Sequence, residues 1–140
     1  MKIENYKKIN KAIILYDSKC ILCNRYIHFI IKNDINEIFY FTSIYNNTGK
    51  KIINDYKINT NLDDTIILYQ ENSIYKRSDA VLRTIKKLKF PINTIWTFYL
   101  IPRFIRDRIY KLISKNRYKM FGKNDQCIIP NKKHLNRFID

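Results

Sequence analysis

Cys20 and Cys23, separated by Ile21 and Leu22, are the residues best placed by type and spacing to do chemistry in this chain. A strand-like apolar run, residues 12–16, stops at Asp17 just before them, and a helical pattern begins at Cys20. The first cysteine of a C-x-x-C pair at a helix N-terminus sits where backbone N–H groups lack intrahelical partners, at the exposed end. Those groups and the helix dipole favour an anion, and the thiolate is the reactive form of cysteine. Three positions on, the second sulfur lies on the same face and can close a disulfide. Cys20 is therefore the candidate nucleophile and Cys23 the candidate resolving thiol, working through a mixed disulfide. Lys19 and Arg25 add positive charge nearby. Asp17 opposes a thiolate if close, or else caps the helix or assists proton transfer at Cys23.

Two other readings of the pair have to be weighed. Small buried cysteines can be inert core residues. Zinc would need four ligands, which Cys20, Cys23, Cys127 and His134 could supply. The six residues between Cys127 and His134 exceed the usual spacing, and the two halves come from opposite ends of the chain. No metal and no organic cofactor is expected.

The elements that must position the pair follow from the hydrophobic pattern. Strands are expected over residues 12–16, 38–42, 65–69 and 73–76, with a hairpin at Gln70-Glu71-Asn72. Helices are expected over residues 20–32 and 50–56, and from Ser78, whose hydroxyl suits an N-cap, to about residue 88. A polar loop is expected over 59–64, and residues 1–10 read as a frayed polar end. The order β-α-β-α-β-β-α, with a crossover first and a hairpin last, gives an α/β four-stranded mixed sheet flanked by helices over residues 11–90.

After Pro91 the character changes. An aromatic stretch precedes Pro102, which can open a helix, and Gly122 is a natural stop. Phe104, Ile105, Ile109, Leu112 and Ile113 recur at helical spacing. Residues 91–140 are therefore expected to form a helical extension packed on the core, apolar stripe inward and basic face outward. The whole of 1–140 is read as a single domain. Trp96, Phe98 and Tyr99 are expected in the core, and His28 as packed or solvated.

A hydrophobic content of 46% excludes a disordered chain. The formal charge of +15 admits nucleic acid or an anionic membrane as partner. No nucleic-acid-binding signature accompanies it, so nucleic acid is not expected, whereas peripheral membrane contact is compatible with residues 92–113. No run is long enough for a signal-peptide core or a spanning helix, which makes the cytoplasm the default location. Three cysteines there point to redox chemistry or metal before a structural disulfide.

Several blocks together resemble the DCC family of thiol-disulfide oxidoreductases. The first is Asp17-Ser18-Lys19-Cys20-Ile21-Leu22-Cys23, an Asp-x-x-Cys-x-x-Cys motif. The others are the Ser78-Asp79-Ala80 segment, the block from Ile101 to Gly122, and Cys127 to Pro130. The resemblance implies a thioredoxin-like fold, with Cys20 and Cys23 as the redox pair. Unlike thioredoxins and glutaredoxins, the chain has Asp63-Asp64-Thr65 rather than a proline before the third strand. Ser78 and Asp79 resemble the glutaredoxin segment that holds the γ-glutamyl end of glutathione. Arg117 and Tyr118 fall inside the C-terminal signature and are, with Ser78 and Asp79, the candidate substrate-binding residues. Arg106, Arg108 and Lys119 are further cations on the same helix. The expected activity is dithiol–disulfide exchange on a protein or low-molecular-weight disulfide, such as glutathione. The alternative is a non-catalytic basic module that binds a protein or an anionic membrane surface.

Overall fold

The computed structural model describes residues 6–8, 11–59, 66–122 and 132–139. A four-stranded sheet has the order β2-β1-β3-β4, where β1 is Ala12–Tyr16, β2 Phe39–Ser43, β3 Ile66–Gln70 and β4 Ser73–Lys76. Helix α1 (Ile21–Asn33) crosses from β1 to β2, which pair in parallel. β1–β3 and β3–β4 are antiparallel. This is the mixed sheet of a thioredoxin-like α/β fold, as the sequence order implies. The β3–β4 connection is a tight two-residue turn. Glu71 and Asn72 both take positive φ, which matches the twist of the flanking strands.

Every residue of β1 is buried because the strand is central and covered on both faces. Ala12, Ile14 and Tyr16 face α1 and helix α3 (Arg77–Lys86), in the core that also holds Cys20, Cys23, Ile27 and Ile30. Ile13 and Leu15 face the opposite core with Tyr6, Ile52 and Tyr69. Helix α2 (Asn47–Asp55) starts three residues earlier than its apolar pattern indicates. Gly49 lets it approach β2: a Cβ there would lie 2.0 Å from the Ser43 carbonyl oxygen.

Three further expectations need correcting. Helix α3 begins at Arg77, and its N-cap is Lys76, not Ser78. Residues Ile92–Leu100 form a 3-10 helix with no buried residue, so Trp96, Phe98 and Tyr99 are not core. Trp96 and Tyr99 stack at 5.8 Å, with Lys86 over the indole and Arg83 and Arg106 over the phenol ring. The aromatic character of this stretch is spent on cations. The frayed reading of the N-terminus does not extend to Tyr6, which is buried and donates a 2.6 Å hydrogen bond to Asp55.

The C-terminal residues close the edge of β2. Ile139 N–H donates to the Phe41 carbonyl, and Arg137 forms a buried ion pair with Asp34 while its Nε donates to the Phe39 carbonyl. Asp34 also accepts the N–H groups of Ile38 and Phe39. Arg137→Met should therefore strand a buried carboxylate and lower stability by about 3–5 kcal/mol in urea unfolding. An unchanged midpoint would show that the pair does not hold this edge.

Burial, then a hydrogen bond with Tyr56, pushes the Tyr69 phenol up to about 12. Burial, followed by the bond to Asp55, moves Tyr6 in the same direction. A raised phenol pKa favours the folded state while the phenol is protonated. That contribution is complete below pH ~10 and is lost as pH rises from there toward 12. In a difference titration against Tyr69→Phe, the phenolate absorbance of Tyr69 should accordingly rise together with loss of structure, rather than before it.

Candidate functional site

The site is built where β1 ends and α1 begins. Cys20 is the N-cap of α1, in extended conformation, and its Sγ accepts the Cys23 N–H at 3.4 Å. No acidic residue occupies the first turn, so the sulfur answers an otherwise open amide. The two thiols lie close and are not joined. The motif loop is braced throughout. The Cys20 N–H donates to the Asp17 carbonyl, and the Asn24 side chain donates to the Ser18 carbonyl. The Ser43 hydroxyl reaches Ser18 Oγ.

Asp17 is buried. One carboxylate oxygen accepts the Lys19 N–H at 3.0 Å, and the other accepts the Tyr118 hydroxyl at 2.5 Å. Tyr118 lies on helix α4 (Arg103–Phe121), so a contact spanning most of the chain joins the motif to the C-terminal helix. The Lys19 ammonium sits 4.6 Å from the centre of the Tyr45 ring, and Arg25 is exposed. The cation expected to help the sulfur from Lys19 is thus directed at an aromatic ring.

Cys20 is fully buried, which corrects the exposed N-terminal position expected from the motif; Cys23 is 3% exposed. Cys23 lines a cavity of about 180 Å³ between α1 and α4, with Leu22, Tyr26, Ile66, Val81 and Ile113 among its walls. Burial pushes the Tyr26 phenol up, so this wall stays uncharged across the working pH range. Cys23 is part of the cavity lining and Cys20 is not.

Ser78 and Asp79 lie in the first turn of α3 and face α4. Ser78 Oγ donates to Asp107 at 2.5 Å, and Asp79 pairs with Arg106 at 3.2 Å and Arg103 at 3.3 Å. Arg106 is buried and also donates to the Ile101 carbonyl. Its role was missed in the sequence, where it reads as one cation among many. The one available signal is its fellow Asp79, an acid at a helix start with a basic helix to follow. The Arg117 side chain, Cys127 and the Asp63-Asp64-Thr65 stretch lie outside the described residues. His134 is described, and among the described residues no group of metal-ligating side chains could hold an ion.

Helix α4 ends as expected, at Gly122 with φ 82°, but it is turned differently from the expected orientation. Its packed face carries Arg106, Asp107, Tyr110, Ser114 and Tyr118, and the Tyr110 hydroxyl accepts the Ile66 N–H. The stripe expected inward, Phe104, Ile105, Ile109, Leu112 and Ile113, is exposed. Polar bonds to Asp17, Ser78, Asp79 and Ile66 fix this rotation, and satisfying them leaves the apolar residues outside.

A family model described as DCC1-like thiol-disulfide oxidoreductase matches residues 14–123. The chain is 32% identical to the uncharacterized protein YuxK of Bacillus subtilis over 95% of this chain and 97% of that one. It is 31% identical to a chloroplastic DCC family protein of Arabidopsis thaliana, over 87% of this chain and 72% of the relative. No solved structure matches significantly. No helix among the described residues is long and apolar enough to cross a membrane.

Tyr118→Phe keeps the ring and removes one donor from a buried carboxylate. Stability should fall by about 1–3 kcal/mol in urea unfolding. A midpoint within error of the parent would show that this bond does not hold α4 to the motif.

Proposed function

The chain belongs to the DCC1-like thiol-disulfide oxidoreductase family, and on that footing we propose that it exchanges dithiols and disulfides at Cys20 and Cys23. The observation that carries the reading is the amide of Cys23 donated to Cys20 Sγ at the opening of α1. A hydrogen bond to sulfur favours the thiolate over the thiol. Cys20 attacks a substrate disulfide R–S–S–R′, forming Cys20–S–S–R and releasing R′S⁻. Cys23, deprotonated, attacks Cys20 Sγ, closes the intramolecular disulfide and releases RS⁻. The substrate gains the two electrons that the protein's dithiol loses, and a partner dithiol returns them. Run backwards, the same steps oxidise a dithiol substrate.

Asp17 is the supporting group. Held by Tyr118 and the Lys19 amide, it sits beside the motif as a carboxylate whose charge is shared with two donors. In this reading it takes the proton from Cys23 as the mixed disulfide is resolved. The substrate enters past the apolar cavity wall, and the residues over Cys20 yield before it attacks. The substrate class is a protein or low-molecular-weight disulfide. Glutathione would engage Ser78 and Asp79 only by displacing Asp107 and Arg106. A reducing compartment such as the cytoplasm suits a resting dithiol.

Cys23→Ser should trap a mixed disulfide on Cys20 when the reduced protein meets oxidised glutathione or a peptide disulfide, as read by intact mass. Cys20→Ser should trap none. Adducts that accumulate on Cys23 in the Cys20→Ser protein would reverse the two roles, and no adduct on either variant would overturn the reading.

A further inference from the structure

We propose that the outward side of α4 and of the 3-10 segment before it is a seat for an anionic lipid bilayer surface. This stands apart from the redox chemistry and does not depend on it. The inner face of α4 is polar and fully committed, as Arg106, Asp107, Tyr110 and Tyr118 each bond to a neighbouring element. Its apolar side chains are left in water: Phe104 is 71% exposed, Ile109 54% and Leu112 65%. Leu100 (88%) and Phe98 (55%), in the 3-10 segment just before the helix, are exposed as well. Large apolar side chains exposed at helical spacing along one side of α4 mark a surface that something covers.

The charge on the flank says what covers it. Arg108, Lys111, Lys115 and Lys119 recur at spacings of three and four, all exposed, along the side next to the stripe. The acid within this helix, Asp107, faces Ser78 and Arg103. An apolar stripe beside a row of cations is the pattern of a helix lying in a headgroup region, with acyl contact below and phosphate contact at the edge. A second copy of the chain is a poor occupant. Two-fold pairing through this face would set the basic row against itself, within a chain of net charge +15. The helix is too polar overall to span a bilayer, which fits lying on one. Ile113 belongs both to the stripe and to the cavity wall beside Cys23, so a seated protein would hold that cavity at the membrane interface.

Co-sedimentation of the full chain with phosphatidylcholine vesicles, with and without phosphatidylglycerol, tests the seat. Binding should require the anionic lipid and fall as salt is raised. The double variant Ile109→Asp/Leu112→Asp should weaken it roughly tenfold or more, as should Lys111→Glu/Lys115→Glu. Both pairs are exposed, and an unchanged unfolding midpoint confirms that the fold is intact. Cys20→Ser/Cys23→Ser should bind like the parent, which separates this surface from the redox site. Three results would overturn the proposal. The first is no binding to anionic vesicles. The second is binding indifferent to Ile109→Asp/Leu112→Asp. The third is a concentration-dependent dimer in sedimentation velocity that the same pair abolishes, which would assign the stripe to a second copy.

Discussion

A helix must satisfy the amides of its first turn, and α1 does so with a sulfur. The residues that could have supplied an oxygen are turned elsewhere: Asp17 toward Lys19 and Tyr118, and Ser18 toward Ser43 and Asn24. Cys20 Sγ is left to accept the Cys23 N–H. A neutral thiol is a weak acceptor and a thiolate a strong one, so the start of the helix and the ionisation of the cysteine favour each other. The Asp17 carbonyl, which accepts the Cys20 N–H, fixes the backbone geometry on which this depends.

Asp17 is buried three residues before Cys20, and a carboxylate charge in the same motif opposes a thiolate by simple Coulomb repulsion. Two donors moderate that opposition. Tyr118 and the Lys19 amide each donate to one carboxylate oxygen and so spread its charge. One of the two comes from α4, so the C-terminal helix is part of the electrostatics of the motif and not merely a neighbour. The same helix supplies Arg106, whose guanidinium neutralises Asp79 at the start of α3. Both acids nearest the two helix openings are thus answered from a single element.

Most of the sheet is legible in the sequence, because its signals are local. The apolar run that stops at Asp17 marks β1, and the polar Gln70-Glu71-Asn72 between two strand-like runs marks the hairpin, whose turn the structure narrows to Glu71-Asn72. Ser78 misleads for a local reason too. It has the chemistry of an N-cap, but Arg77 at positive φ starts the helix early and leaves the hydroxyl to Asp107. α4 misleads for a non-local one. Periodicity reports that a helix has an apolar stripe, not which way it points, and the rotation is set by bonds to Asp17, Ser78, Asp79 and Ile66. None of those pairings, across up to a hundred residues, leaves a trace in the spacing of α4 itself.

The helix amide and the cavity meet different sulfurs. The amide-capped sulfur is Cys20, which has no exposed surface, while the cavity reaches Cys23. Burial disfavours a thiolate, and the helix amide favours it, so the balance shifts with whatever occupies the space around the pair. An apolar substrate filling the cavity would exclude water and strengthen the amide–sulfur contact. A small hydrophilic thiol would do neither and would leave water in place. In the proposed exchange reaction, then, a substrate is distinguished less by contacts to the reacting sulfur than by how completely it dries the cavity wall of Leu22, Ile66, Val81 and Ile113.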